Sequence, residues 1–147
     1  MLLETALLKF LSQSVAVGAL VGSGPDARIY PVVLPQTPTL PTLTYQRVGS
    51  VRDRAMRGPT GTSFARVQFD AWAPATDAGG GYAAAKGLAD AVRRAVDGYA
   101  GAMGDATVGT LFVQLVEVEN DRDGYEPAVK LFRAGFDMAV WWTEGTA

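Results

Sequence analysis

The sequence predicts an α+β domain: an antiparallel β-sheet built from two hairpins with helices packed on one face, in the order α-β-β-β-α-β-β. Three observations carry the prediction. Residues 64–73 alternate, with Ala65, Val67, Phe69 and Ala71 set against Arg66, Gln68, Asp70 and Trp72, as a half-buried strand does. Residues 82–99 instead repeat apolar side chains at helical spacing. Two long apolar stretches, 107–119 and 129–143, are joined by "NDRDGYEP", whose Asp-Gly suits a tight hairpin turn. The 147 residues, 48% hydrophobic and 10% aromatic, fit one domain over 1–147 with a sizeable core.

The N-terminal "MLLETALLKFLSQSVAVGALVG" places Leu3, Leu7, Phe10 and Leu11 on one face of an amphipathic helix. Glu4 precedes any basic side chain, and Lys9 and then Ser12-Gln13 interrupt the apolar run. A signal peptide needs a basic start and an unbroken apolar centre, and a spanning helix needs about 20 apolar residues. The expectation is a soluble chain made for the cytoplasm, with no membrane partner. A second helical piece runs to Val21, with Ser14 as N-cap and Gly22 as its stop.

Arg28–Val33 reads as a short strand and Leu43–Val51 as a longer one, with Tyr45 and Arg47 on one face and Gln46 and Val48 on the other. Between them Pro31, Pro35, Pro38 and Pro41 keep the chain stiff and extended without ladder hydrogen bonds. Residues at about 49–63, rich in glycine and polar side chains, read as a long loop, either mobile or drawn out into a hairpin tip. Pro74 ends the alternating strand. The best helix, about Tyr82 to Tyr99, carries a core stripe of Tyr82, Ala85, Leu88, Ala89, Val92, Val96 and Tyr99. Its outer face holds opposite charges four apart: Lys86–Asp90, Asp90–Arg94 and Arg93–Asp97.

A linker over 100–106 leads to Thr107–Glu119, apolar on both faces: Leu111, Val113 and Leu115 opposite Phe112, Val116 and Val118. Such a strand is central, or one face meets another molecule. In Val129–Thr143 the even positions Phe132, Phe136, Met138, Val140 and Trp142 are bulky, while the odd ones include Arg133 and Asp137.

Net charge is −2, and the chain has no cysteine and no histidine. Disulfides, thiolate chemistry, the Ser-His-Asp arrangement and most transition-metal sites are therefore excluded, and no cofactor is expected. "GGGYAA" (Gly79 to Ala84) matches a dinucleotide fingerprint but lacks its strand-turn-helix setting. "ENDRDG" (Glu119 to Gly124) mimics the start of a calcium loop, yet Lys130 stands where the bidentate glutamate belongs. Asp70 and Asp137 on neighbouring strands hint at an acid–base pair with no pocket to support it.

The segment from Arg47 to Arg66 also holds Arg52, Arg54 and Arg57 against a single Asp53. These arginines read as a solvated loop, as forks onto carboxylates of a neighbouring subunit, or as phosphate contacts. The last lacks interleaved aromatics. "VWW" points Trp141 and Trp142 to opposite sides of one strand, so one is core and the other needs a second layer or a partner.

In order along nearly the whole chain, "LLKFLSQSVAVGALVG", "RIYPVVLPQ", "PTLTYQRV", "ARVQFDAWA", "AAAKGLADAVRRAVDGY" and "LFRAGFDMAVWW" resemble the tail-completion proteins of long-tailed phages, also called tail-terminator or tail-to-head joining proteins. The Arg52–Ser63 loop and the 100–106 linker fall outside the resemblance. It implies a ring, typically hexameric, on the head-proximal end of the tail tube, which stops tube polymerisation and meets the head connector. DNA would pass through the lumen without sequence-specific binding. The particle would be a virion, a prophage product or a gene transfer particle assembled in the bacterial cytoplasm. The family has no catalytic residues to carry over, so no enzyme is expected. Subunit or partner contacts are expected at Arg47, Arg52, Arg54, Arg57, Pro35, Pro38, Pro41 and Trp142. Two rivals stand beside this reading: a neck protein on the portal side, and a small nucleotide-dependent enzyme using Gly79–Ala84.

Overall fold

A computed structural model of the chain describes residues 2–24, 27–36, 41–56, 58–75, 80–105, 107 and 109–144. Helix α1 spans Leu2–Ser12, and Leu3, Leu7 and Leu11 on its inner face are at most 2% exposed. Helix α2 spans Val15–Val21, capped by Ser14 and ended by Gly22 at φ 87, where glycine carries no steric penalty. The two helices meet at a bend of 84°, and among the described residues no single helix is long and apolar enough to cross a membrane.

Six strands follow in one sheet: β1 (Ile29–Pro31), β2 (Thr42–Ala55), β3 (Gly58–Pro74), β4 (Gly101–Asp105), β5 (Gly109–Glu126) and β6 (Leu131–Glu144), with α3 (Gly80–Val96) between β3 and β4. Their order across the sheet is β1-β2-β3-β6-β5-β4. The result is a mixed α/β fold, and three expectations need correction.

The sheet is not antiparallel throughout, because β1 pairs parallel to β2 through Ile29↔Leu43 and Pro31↔Tyr45. Alternation reveals that a segment is a strand but not which way it runs. A parallel neighbour also requires the chain to travel back before pairing, and that is what the proline-rich crossing does. Pro31 is the last paired residue of β1, and the Val32 N–H makes the final bond to β2, donating to the Tyr45 carbonyl at 2.8 Å. Val32 follows at φ 65, with the Val33 N–H donating to the Pro31 carbonyl at 2.7 Å, a tight γ-turn that β-branched residues adopt only under strain.

The element order also gains a second helix before β1 and the strand β4, which occupies the segment read as a linker over 100–106. Of the two readings of residues 49–63, the drawn-out hairpin tip holds and the mobile loop does not. Arg52↔Ser63, Arg54↔Pro59 and Ala55↔Gly58 carry β2 and β3 out as a two-stranded arm.

The hairpin turn is not at Asp123-Gly124 either. Those residues face Ala134 and Arg133 inside the β5–β6 ladder, and the chain turns at residues 127–130. Lys130 takes the left-handed conformation there, at φ 55. Pairing along the whole length of β6 outweighs the local preference of Asp-Gly.

The core lies between one sheet face and the helices. Val67, Phe69, Phe136, Met138, Val140 and Trp142 meet Leu7, Leu88, Val92 and Val96 there, with the Phe69 and Phe136 ring centroids 5.3 Å apart. Helix α3 starts at Gly80 rather than Tyr82. A side chain at Gly81 would run into the Pro74 carbonyl and the Phe132 ring, so glycine there serves close helix–strand packing. That removes the need for a phosphate to explain it. Gly79 lies outside the described residues.

Candidate functional site

Among the described residues, the helices cover one face of the sheet and no element covers the other. Reading residue partners across the strands sorts this outer face into rows. Val51 pairs with Phe64, Phe64 with Trp141, and Trp141 with Leu115, so one apolar row crosses four strands. Val51 is 65% exposed and Leu115 41%, with Phe112 beside the row at 52%. The Phe64 and Trp141 rings touch at 4.9 Å.

Two irregularities create this row. β2 skips a partner between Arg47 and Gly49, and β5 does so between Val113 and Leu115. One extra residue flips every later side chain to the opposite face. Leu115, expected beside Leu111 and Val113, therefore turns outward, while Val116 turns into the core at 1% exposure.

Toward the other end the same face becomes a charge network. Arg66 grips Glu119 Oε1 with Nε at 2.9 Å and a terminal nitrogen at 2.7 Å. Arg122 lies between two carboxylates, 2.9 Å from Asp137 and 3.9 Å from Asp70. Gln68 donates to Asp70 at 2.8 Å, Asn120 donates to Asp137 at 3.2 Å, and the Trp72 indole donates to Thr44 at 2.9 Å. Gly135 leaves the room for Asp70, since a side chain there would overlap the Asp70 carboxylate and the Phe69 carbonyl. Asp70 and Asp137 are thus brought together, as their strands suggested, with Arg122 lodged between them. Among the described residues no three acidic, histidine or cysteine groups gather into a metal site.

On the helix side, Asp123 accepts from the Tyr82 hydroxyl at 2.6 Å and from Lys86 at 3.2 Å. The Tyr82 hydrogen bond, with Lys86 behind it, holds the Asp123 carboxyl below its ordinary value. The same bond raises the Tyr82 phenol. The Tyr45 phenol is pushed up as well, by burial first and by Glu4 second.

The predicted contact residues scatter. Arg47 points to the helix side, 2.8 Å from Glu4 and with its guanidinium 5.8 Å from the Trp142 ring centre. It fastens α1 to the sheet. Trp142 is core, 3% exposed, and the tryptophan on the outer face is Trp141. Arg52 is exposed on the arm, and Arg54 stands in register with Pro59. Pro35 is exposed and Pro41 half-buried, its carbonyl accepting from Arg28 Nε at 3.1 Å. Arg57 and Pro38 lie outside the described residues. Sequence reasoning missed the apolar row and Arg122; alternation could have nominated Phe64 and Trp141, but nothing in the sequence marks the bulges.

A family model described as "Tail completion protein gp17" matches residues 5–143. No curated protein matches. Among solved structures, a chain of the "Virion of native gene transfer agent (GTA) particle" is similar at 17% identity and a TM-score of 0.70, covering 96% of this chain and 94% of that one. At that identity the likeness speaks for the fold.

Proposed function

The chain belongs to the tail completion protein gp17 family, and from that premise we propose that it is a structural component of a phage or phage-like particle, closing into a hexameric ring on the head-proximal end of the tail tube. The ring occupies the tube end, replaces the surface on which the next tube subunit would dock, and offers its far side to the head connector. DNA passes through the lumen without sequence-specific contacts, and no reaction is catalysed. The observation that carries this reading is the bare outer face, where an apolar row ends on exposed Val51 and Leu115. An apolar strip of this kind on an otherwise polar face marks a contact surface. Arg122, lodged between Asp70 and Asp137, ties both carboxylates into the charge network of this face.

The crossing over 31–42 belongs to the same proposal as part of the contact surface, since a stiff segment loses little entropy when a partner orders it. Light scattering and native mass spectrometry of the purified chain test the ring, and labelling of intact particles tests its position. A chain that stays monomeric at high concentration, or that is missing from the joint below the capsid, ends the proposal.

A further inference from the structure

The sheet leaves two long strand edges without partners, and they carry opposite charge. Beyond Tyr45, β2 pairs on one side only among the described residues, because β1 covers no more than Leu43 to Tyr45. At the far side, β4 covers Gly109 to Val113 of β5. The Gly98 N–H bonds the Val116 carbonyl, which leaves β5 bare from about Glu119 to Glu126. Bare edges of eight or more residues are hazardous, and chains that stay alone blunt them with proline, lysine or a covering element. Here β2 carries bulges between Arg47 and Gly49 and between Arg52 and Arg54, yet it displays Val48 at 48% and Val51 at 65% exposure.

Most charges on the sheet are matched within the chain: Arg47 by Glu4, Arg66 by Glu119, Lys86 by Asp123 and Arg133 by Glu126. Three exposed ones make no ion pair among the described residues. Arg52 sits on the bare edge of β2, and Glu117 and Asp121 sit on or beside that of β5. Arg54 adds a second positive charge to the arm.

Resting on the ring reading above, we propose that the interface is an edge-to-edge β-ladder between two copies of this chain, the basic edge of β2 (residues 46–55) lying along the acidic edge of β5 (residues 119–126). Direction agrees. β2, β3, β6 and β5 are successively antiparallel, so β2 runs opposite to β5, and a neighbour rotated about an axis to which the strands are tilted, as in a barrel, presents it antiparallel. The two edges differ, so each contact is heterologous and the series can close. Within one chain Gln46 and Glu119 lie level through Gln68 and Asp137. Placing residues 46–55 beside 126–119 therefore shifts the neighbour along the strands by about seven residues, the kind of stagger a closing sheet requires. Arg52 of the neighbour then falls beside Asp121.

The test uses the full chain in four forms, followed by native mass spectrometry at low and high salt. Arg52→Glu with Arg54→Glu, or Glu117→Arg with Asp121→Arg, should each weaken assembly at least about tenfold, and the chain carrying all four substitutions should recover it. Thermal melting should change little throughout, because Arg52, Glu117 and Asp121 are exposed and make no ion pair among the described residues. If the arm variant assembles like the unaltered chain, the ladder is wrong while the ring survives. If both charge variants fail and the fourfold chain does not recover, the two edges do not face each other. An unaltered chain that never assembles removes the ring and the ladder together.

Discussion

Along β6, Phe132, Ala134, Phe136, Met138, Val140 and Trp142 enter the helix side, while Arg133, Gly135, Asp137, Ala139, Trp141 and Thr143 stand on the other. The first set is packed chiefly by α3 and tolerates little change. The second has no layer above it among the described residues and holds itself together with salt bridges, one tight glycine and a strip of apolar side chains. The difference teaches that the inner face makes the fold, whereas the outer face is left with capacity for a partner.

The strongest way to break this contrast is to empty a site on each face. Phe136→Ala should cost about 3–5 kcal/mol in denaturant unfolding, the usual range for a buried phenylalanine. A loss under about 1 kcal/mol would mean the inner face is not the core. Next, Gly135→Ala tests whether the outer face is tight where Asp70 lies. Its added carbon meets backbone and carboxylate, so a loss of about 1–3 kcal/mol is expected, and an unchanged melting point would count against the close approach.

Arg122→Met should lower stability by about 1–2 kcal/mol near neutral pH, because it leaves the buried Asp70 without its cation. Repeating the measurement at high salt should change the gap little, since the site is only partly open to solvent.

The acid limb gives a smaller effect. Asp123 titrates below its ordinary 3.8, so its contribution is complete above that value and disappears as pH falls through the folded-state value. Tyr82→Phe should flatten that loss in urea titrations between about pH 5 and 2. Identical acid limbs for the two chains would exclude the Tyr82–Asp123 bond. Smallest of all, Leu115→Gln should alter monomer stability by no more than about 0.5 kcal/mol while weakening assembly. A large loss in the isolated chain would show that the apolar row is already buried.

Much of the fold was legible because burial leaves a period in the sequence. Leu3, Leu7 and Leu11 four apart announced α1, Ser14 and Gly22 bracketed α2, and Ala65 to Ala71 announced β3 and the face it buries. The candidate site was far less legible. Arg47 and Trp142 looked like surface contacts, yet they pack against each other beneath α1, a relation between residues distant in the chain. Trp141 was half of a visible pair, and only its register beside Phe64 and Leu115 gives it a role.

By itself, then, the sequence determined most of the segments that become helix or strand, β4 excepted, and much of which side chains seek shelter, since those choices depend on spacing within one segment. Tertiary structure alone decided the direction of β1, the length of the β2–β3 arm, the turn at residues 127–130 and the outward turn of Leu115. Each of these depends on which strand lies alongside, and the turn of Leu115 also on a single unpaired residue in the ladder. Pairing between distant segments is a long-range energy, and a local pattern carries no record of it.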